Sequence, residues 1–139
     1  MLHDFNLEFA DPSPGPAALE PRIRAQIGSE RRVWLVTDDA EPFGLAQVLL
    51  HDSIWTERPI ACLEELYVKP GRRGSGAGRD LLEAVLALAR ERGAAWAWVA
   101  TGEDDLAARG LYESCGFANE IEGPEKARAL YYELELDRP

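Results

Sequence analysis

The stretch from Lys69 to Arg79, KPGRRGSGAGR, is where this sequence is best equipped for chemistry. It carries Lys69, Arg72, Arg73 and Arg79, no acid, and four of the chain's twelve glycines. Glycine lets a backbone approach a ligand without a Cβ in the way. Unpaired N–H groups at the start of a helix then form a concave anion site, reinforced by the helix dipole. Arg73, Gly74, Ser75, Gly76, Ala77 and Gly78 are therefore a candidate phosphate cradle. The spacing excludes two familiar cradles. A P-loop requires Gly-Lys followed by Ser or Thr, which is absent. A dinucleotide fold places its glycines after a first strand, whereas several strands precede this loop. Just upstream, Glu64 and Glu65 stand side by side in IACLEELYV. A carboxylate can take up a proton. Strand alternation sends adjacent side chains to opposite faces, so one of the pair is expected at a site and the other elsewhere.

The elements that must position these residues follow from apolar periodicity. FNLEF at 5–9 alternates and predicts a short strand. Pro16 to Ile27 has Leu19, Ile23 and Ile27 at helical spacing, ended by Gly28. VWLVT at 33–37 and FGLAQVLL at 43–50 predict strands, followed by a polar loop over Asp52 to Pro59 and a strand over Ile60 to Val68. Leu81, Leu82, Val85, Leu88 and Ala89 mark one face of a helix directly after the glycine loop, with Gly93 as its stop. AAWAWVAT at 94–101 predicts a buried strand in which Trp96 and Trp98 fill core or line the sheet. Asp105 to Cys115 predicts a helix. Phe117 to Ile121 and Leu130 to Leu136 predict two last strands, joined by EGPEKARA. This order implies a mixed, mostly antiparallel α/β sheet with a central parallel unit and helices on its faces.

Composition bounds the rest. A chain of 139 residues suits one domain, and we expect a single domain over 1–139. A hydrophobic share of 46% argues against disorder. The formal net charge of −10 disfavours nucleic acid, whose phosphates need clustered cations, and favours cationic small molecules. No apolar run is long enough to span a membrane, and the acidic N-terminus lacks a signal pattern, so a cytoplasmic protein without membrane association is expected. Cys62 and Cys115 form no cluster of metal-ligand spacing, and no metal is expected.

LYVKPGRRGSGAGRDLL resembles the cofactor motif of the GNAT superfamily of acyl-CoA N-acyltransferases, with Arg73, Gly76 and Gly78 as the R-x-x-G-x-G core. DLAARGLYESCGF resembles that family's second motif, with Ala108, Leu111, Tyr112, Gly116 and Phe117 in register. The resemblance covers about Ile60 to Leu136. It implies acetyl-CoA as co-substrate, with its pyrophosphate on the glycine loop. It also implies a splayed pair of parallel strands, ending near Val68 and Thr101, whose gap admits the pantetheine arm. The arm's amides would pair with the backbone of Leu66 and Val68. Two departures stand out. The motif's asparagine, which in relatives helps hold the pantetheine arm or the adjacent turn, is Asp105 here; it is carried over as a cofactor-binding candidate, although an ionised Asp accepts but does not donate, and an N-cap role stands beside that reading. The region before Val33 shows one helix where relatives have two.

The resemblance also implies roles. Acetyl transfer to an amine needs a free amine, a positioned thioester and a proton for the thiolate. Glu64 is the favoured base, since it shares strand parity with Leu66 and Val68 and the first acid of such a pair serves in some relatives. Glu65 is the alternative, matching an acid in others. Tyr112 is the candidate acid near the cofactor sulfur. The expected reaction is direct acetyl transfer to a primary amine of a small cationic acceptor, polyamine- or aminosugar-like. Protein or peptide N-terminal acetylation and a non-catalytic acyl-CoA-binding module remain open beside it. Tyr131 and Tyr132 read as strand residues that would suit a homodimer contact.

Overall fold

The sequence folds around a long antiparallel hairpin. A computed structural model describes residues 1–120, 127–134 and 136. Its contacts group the chain into two compact units, Met1–Val99 and Ala100–Pro139.

In the first unit, helix α1 (Leu2–Glu8) and helix α2 (Pro16–Gln26) precede strand β1 (Arg32–Val36). Strands β2 (Gly44–Ser53) and β3 (Thr56–Val68) form the hairpin. A 3-10 turn (Pro70–Arg72), helix α3 (Ala77–Glu91) and strand β4 (Ala97–Val99) follow. The sheet order is β1-β2-β3-β4, antiparallel except for the parallel pair β3–β4.

Alternation assigns the two faces. Ala46, Val48, Leu50, Ala61 and Leu63 share one face through the pairs Val48↔Leu63 and Leu50↔Ala61. All five are buried, together with Leu81, Leu82, Val85 and Ala89 from α3. A Cβ on Gly44 would lie 3.0 Å from Leu81 Cδ1 and 3.2 Å from the Tyr67 carbonyl, which shows how closely α3 approaches this face. Helix α1 lies on the other face, where the Phe5 ring stacks on Tyr67 with centroids 5.1 Å apart.

Several expectations are corrected here. Phe5 to Glu8 lie in helix α1 and Phe9 is its C-cap, so FNLEF is not a strand. Phe5, Leu7 and Phe9 fit a period of two, but Leu2, Phe5 and Phe9 fit a helical face equally well, and the stack on Tyr67 is made from the helix. The region before β1 therefore holds two helices. The polar stretch 52–59 is no loop: β2 and β3 pair out to Ser53↔Thr56, leaving a turn of Ile54 and Trp55. A hairpin arm exposed on both faces needs no apolar alternation, so its polarity imitates a loop. Trp96 and Trp98 are 48% and 43% exposed rather than core. The strand that contains Trp98 pairs over only three residues.

In the second unit, helix α4 (Leu106–Ser114) is capped by Asp105, whose Oδ1 accepts from the Ala108 N–H at 2.9 Å. Arg109 donates to the Glu103 carbonyl (2.8 Å), and Arg128 pairs with the Glu103 carboxylate (2.8 Å). Neither of the last two expected strands is present among the described residues. Glu120 and Arg128 make a single isolated bridge, and Leu130 to Leu134 form no strand. Ile121, the linker residues 122–126 and Glu135 lie outside the described residues. The alternation of LYYELEL expresses propensity alone, and a strand needs a partner before propensity becomes structure.

Leu82 is fully buried between α3 and the sheet. Leu82→Ala should lower unfolding free energy by about 2–5 kcal/mol in denaturant titration.

Candidate active site

The register of β2 against β3 shifts twice, once near the turn between His51 and Ser53 and once beside the acid pair. Gln47 pairs with Glu65, yet Val48 pairs with Leu63, so Glu64 is an extra residue on β3. Such a bulge bends the strand and re-aims its side chains. It also overturns the expectation that the two glutamates part to opposite faces. Cross-strand partners share a face. Glu65 therefore lies with Gln47, and Glu64 follows the parity of Cys62 on that same face, opposite α3.

The polar side chains there form a connected array. Arg32 Nη1 of β1 pairs with Glu64 Oε2 at 2.5 Å. Between them lies Gln47 of β2, 4% exposed and the single buried polar residue of the described core. With its amide turned to suit both neighbours, it donates to Glu64 Oε2 (3.2 Å) and accepts from Arg32 Nη1 (3.3 Å). Its other contact, 2.8 Å, is with the Gln26 amide at the end of α2. Sequence reasoning missed Arg32, Gln47 and Gln26. One signal was available: Gln47 is the lone polar residue in an otherwise apolar strand, and such a residue must find partners when buried.

Glu65 differs from its neighbour. Among the described residues no hydrogen bond or ion pair reaches its carboxylate. Burial, and then the nearby Glu64 charge, push its pKa above the ordinary value of 4.5. The Cys62 thiol is pushed up to about 11, chiefly by burial, and stays protonated and inert at neutral pH.

The pairing of β3 with β4 stops at Leu63↔Val99, one residue before the bulge. From Glu64 to Val68 the β3 edge on that side has no strand partner among the described residues, and Leu66 and Val68 belong to it. Beyond Val68, the chain passes through the 3-10 turn and Arg73 into two left-handed glycines, Gly74 (φ 75°) and Gly76 (φ 93°). Gly76 is the N-cap of α3, with Ala77 and Gly78 as its first residues. Their N–H groups have no intrahelical acceptor by position. A Cβ on Gly74 or Gly76 would meet nothing within 4 Å, so the space over the loop is open. Ser75 Oγ turns inward and donates to the Arg72 carbonyl (2.7 Å), which holds the loop's shape. The arginines of this basic segment have carboxylates beside them: Arg72 faces Asp39 (3.2 Å), Arg73 faces Glu8 (2.5 Å) and Arg79 faces Glu83 (3.8 Å).

In the second unit, Tyr112 is buried in α4, its ring centroid 5.9 Å from that of Phe117. Burial, then the Asp105 charge, push its pKa up to about 12, so the phenol is protonated throughout the working range.

The Acetyltransferase (GNAT) family model matches residues 1–117. Over 123 residues the chain is 34% identical to the aminoglycoside N(6')-acetyltransferase type 1 of Stenotrophomonas maltophilia, covering 86% of this chain and 76% of that protein. It is 32% identical over 107 residues to the streptothricin acetyltransferase of Streptomyces lavendulae, covering 77% of this chain and 54% of that one. A crystal structure from Arthrobacter sp. FB24 superimposes with a TM-score of 0.86 at 40% identity, covering 97% of this chain and 85% of that chain. These likenesses agree with the mixed sheet and its parallel strand pair.

Glu65 carries a stability signature that can be measured. Its folded pKa is raised, so its contribution to stability is full below about pH 4.5 and is lost as pH rises through the raised value. Glu65→Gln should therefore melt higher than wild type at pH 7, with the difference vanishing in acid. A lower melting point at pH 7 would mean that the ionised carboxylate has a partner.

Proposed function

The chain belongs to the GNAT acetyltransferase family and is an acetyl-CoA-dependent acetyltransferase; from that premise we propose that it acetylates a primary amine of a small cationic acceptor, with Glu65 taking the amine proton. The observation that carries this reading is the acid pair brought to one face by the bulge, beside the β3 edge that β4 leaves unpaired. That edge suits the amides of a pantetheine arm, which would extend the sheet at Leu66 and Val68. The open left-handed turn at Gly74 to Gly78 suits a pyrophosphate bound by backbone N–H groups.

An ammonium ion must lose a proton before its nitrogen can attack the thioester carbonyl. Arg32 and Gln47 already engage Glu64, which makes it a fixed negative group. Among the described residues nothing claims the Glu65 carboxylate, and its proton affinity is raised, which suits a general base. The division of labour is then a proton acceptor at Glu65 and an anchored charge at Glu64 that attracts the cation. This departs from the preference for Glu64 that strand parity suggested, because the bulge removes the parity argument. When the amine nitrogen has bonded to the acetyl carbon, it gives up its second surplus proton to solvent, the C–S bond breaks and the thiolate departs. On the family resemblance, Tyr112 serves that sulfur. A phenol near 12 holds its proton more tightly than a thiol near 8.5, so it contributes a hydrogen bond to the sulfur, and solvent completes the protonation.

A cationic acceptor is supported by the net charge of −10, the two glutamates, and relatives named for an aminoglycoside and for streptothricin. Release of CoA thiol over a panel of polyamines, aminosugars and N-terminal peptides tests it. Turnover should be confined to small polycations, and peptide turnover alone would overturn the acceptor class. For the best acceptor, kcat/KM should rise with pH through an apparent pKa above the usual carboxylate range. Glu65→Gln should remove that limb, keep the one at the amine's own pKa, and lower the neutral-pH rate by roughly 10²- to 10⁴-fold. An unaltered profile in Glu65→Gln would end its assignment as base.

A further inference from the structure

Arg73 opens the glycine loop, and a cation there invites assignment as a phosphate ligand. Its side chain is otherwise engaged. Nη1 and Nη2 donate to the two carboxylate oxygens of Glu8, at 2.5 and 2.8 Å. Nε donates to the Val68 carbonyl at 2.8 Å, and the guanidinium stands 5.6 Å from the Tyr67 ring centroid. A bidentate fork with a third bond from Nε is a strongly oriented arrangement for guanidinium and carboxylate. Glu8 is the last residue of α1, and its carboxyl is held below the ordinary range by the Arg73 bond. Three residues earlier, Phe5 of the same helix stacks on Tyr67. Helix α1 thus has two attachments to the end of β3: an aromatic stack and this ionic fork.

Tyr67 pairs with Leu45, while Glu65, two residues before it, pairs with Gln47. The surface that α1 covers is therefore continuous with the face that carries the acid pair. With only seven residues, α1 has little intrinsic helical stability and depends on such attachments.

We propose that the Arg73 side chain is a positioning group, a clasp that fixes α1 as a wall of the acceptor site while the backbone of the same residue opens the cofactor loop. The inference rests on the acetyltransferase reading above. It assigns phosphate recognition to the N–H groups of the loop rather than to this guanidinium. It also makes Glu8, remote in sequence from both motifs, a residue for acceptor affinity.

The test is a cycle of Glu8→Gln, Arg73→Gln and the double variant in the full chain, read by acetyl-CoA affinity in calorimetry and by KM and kcat for the best acceptor. Wild-type acetyl-CoA binding is measured first. Its absence would refute the cofactor reading, independently of the clasp. Given binding, Glu8→Gln and Arg73→Gln should each raise the acceptor KM by about 3- to 10-fold, which corresponds to the loss of one charge-assisted contact. Each should keep the acetyl-CoA dissociation constant within about twofold, and the double variant should be no worse than Arg73→Gln. Amide exchange over Leu2–Glu8 should accelerate in both single variants. A tenfold or greater loss of acetyl-CoA affinity in Arg73→Gln, with Glu8→Gln unaffected or tighter, would make Arg73 a phosphate ligand and overturn the clasp. An unchanged acceptor KM in Glu8→Gln would overturn it as well. Glu8→Gln is a substitution at a partly exposed helix end, so this arm stays readable if Arg73→Gln folds poorly.

Discussion

One inserted residue governs the site. Without the bulge at Glu64, this stretch of β3 would alternate simply and the two glutamates would face opposite sides of the sheet. With it, both carboxylates lie on the face away from α3. The same irregularity coincides with the end of β3–β4 pairing, so the backbone edge opens where the acids collect. A bulge bends a strand and twists it more strongly than its partner. One backbone feature thus places two carboxylates beside an edge that has no strand partner among the described residues, the arrangement on which the proposed acetyl transfer rests.

Bringing two carboxylates together carries an electrostatic cost, and the surrounding residues satisfy one of the two. Arg32 and Gln47 satisfy Glu64 across the width of three strands, and Gln26 extends the array to α2. Glu65 receives no such help and sits partly buried beside a charge of its own sign. Burial and that neighbouring charge raise the proton affinity of Glu65. The glycine loop shows the complementary economy. Its arginines face acids of the protein, and its open side is backbone.

Much of this was readable from sequence where the determinants are local. The helix after the glycine loop announces itself through Leu81, Leu82, Val85 and Ala89, and the cap of α4 through Asp105. Both structures depend on neighbours within a few residues. The bulge was invisible, because it is a property of how β2 registers against β3, and the letters of IACLEELYV alternate equally well without it. Helix α1 was misread since seven residues hold too few apolar positions to separate a period of two from one of 3.6. The fork between Glu8 and Arg73 joins residues 65 apart, a pairing that no local pattern encodes. Arg32 stands just before the expected strand with nothing near it in sequence to mark its partner, whereas Gln47 is detectable as a polar residue in an apolar run.

The central claim is that the β3 edge after the bulge and the backbone of the following loop together receive the cofactor. Amide hydrogen exchange by NMR, with and without CoA, tests it residue by residue. Slowed exchange should concentrate at amides of the Glu64–Val68 edge and at Gly74, Gly76, Ala77 and Gly78, with the β1–β2 ladder unchanged. Protection that leaves these amides untouched while CoA is bound would place the cofactor elsewhere and contradict the account.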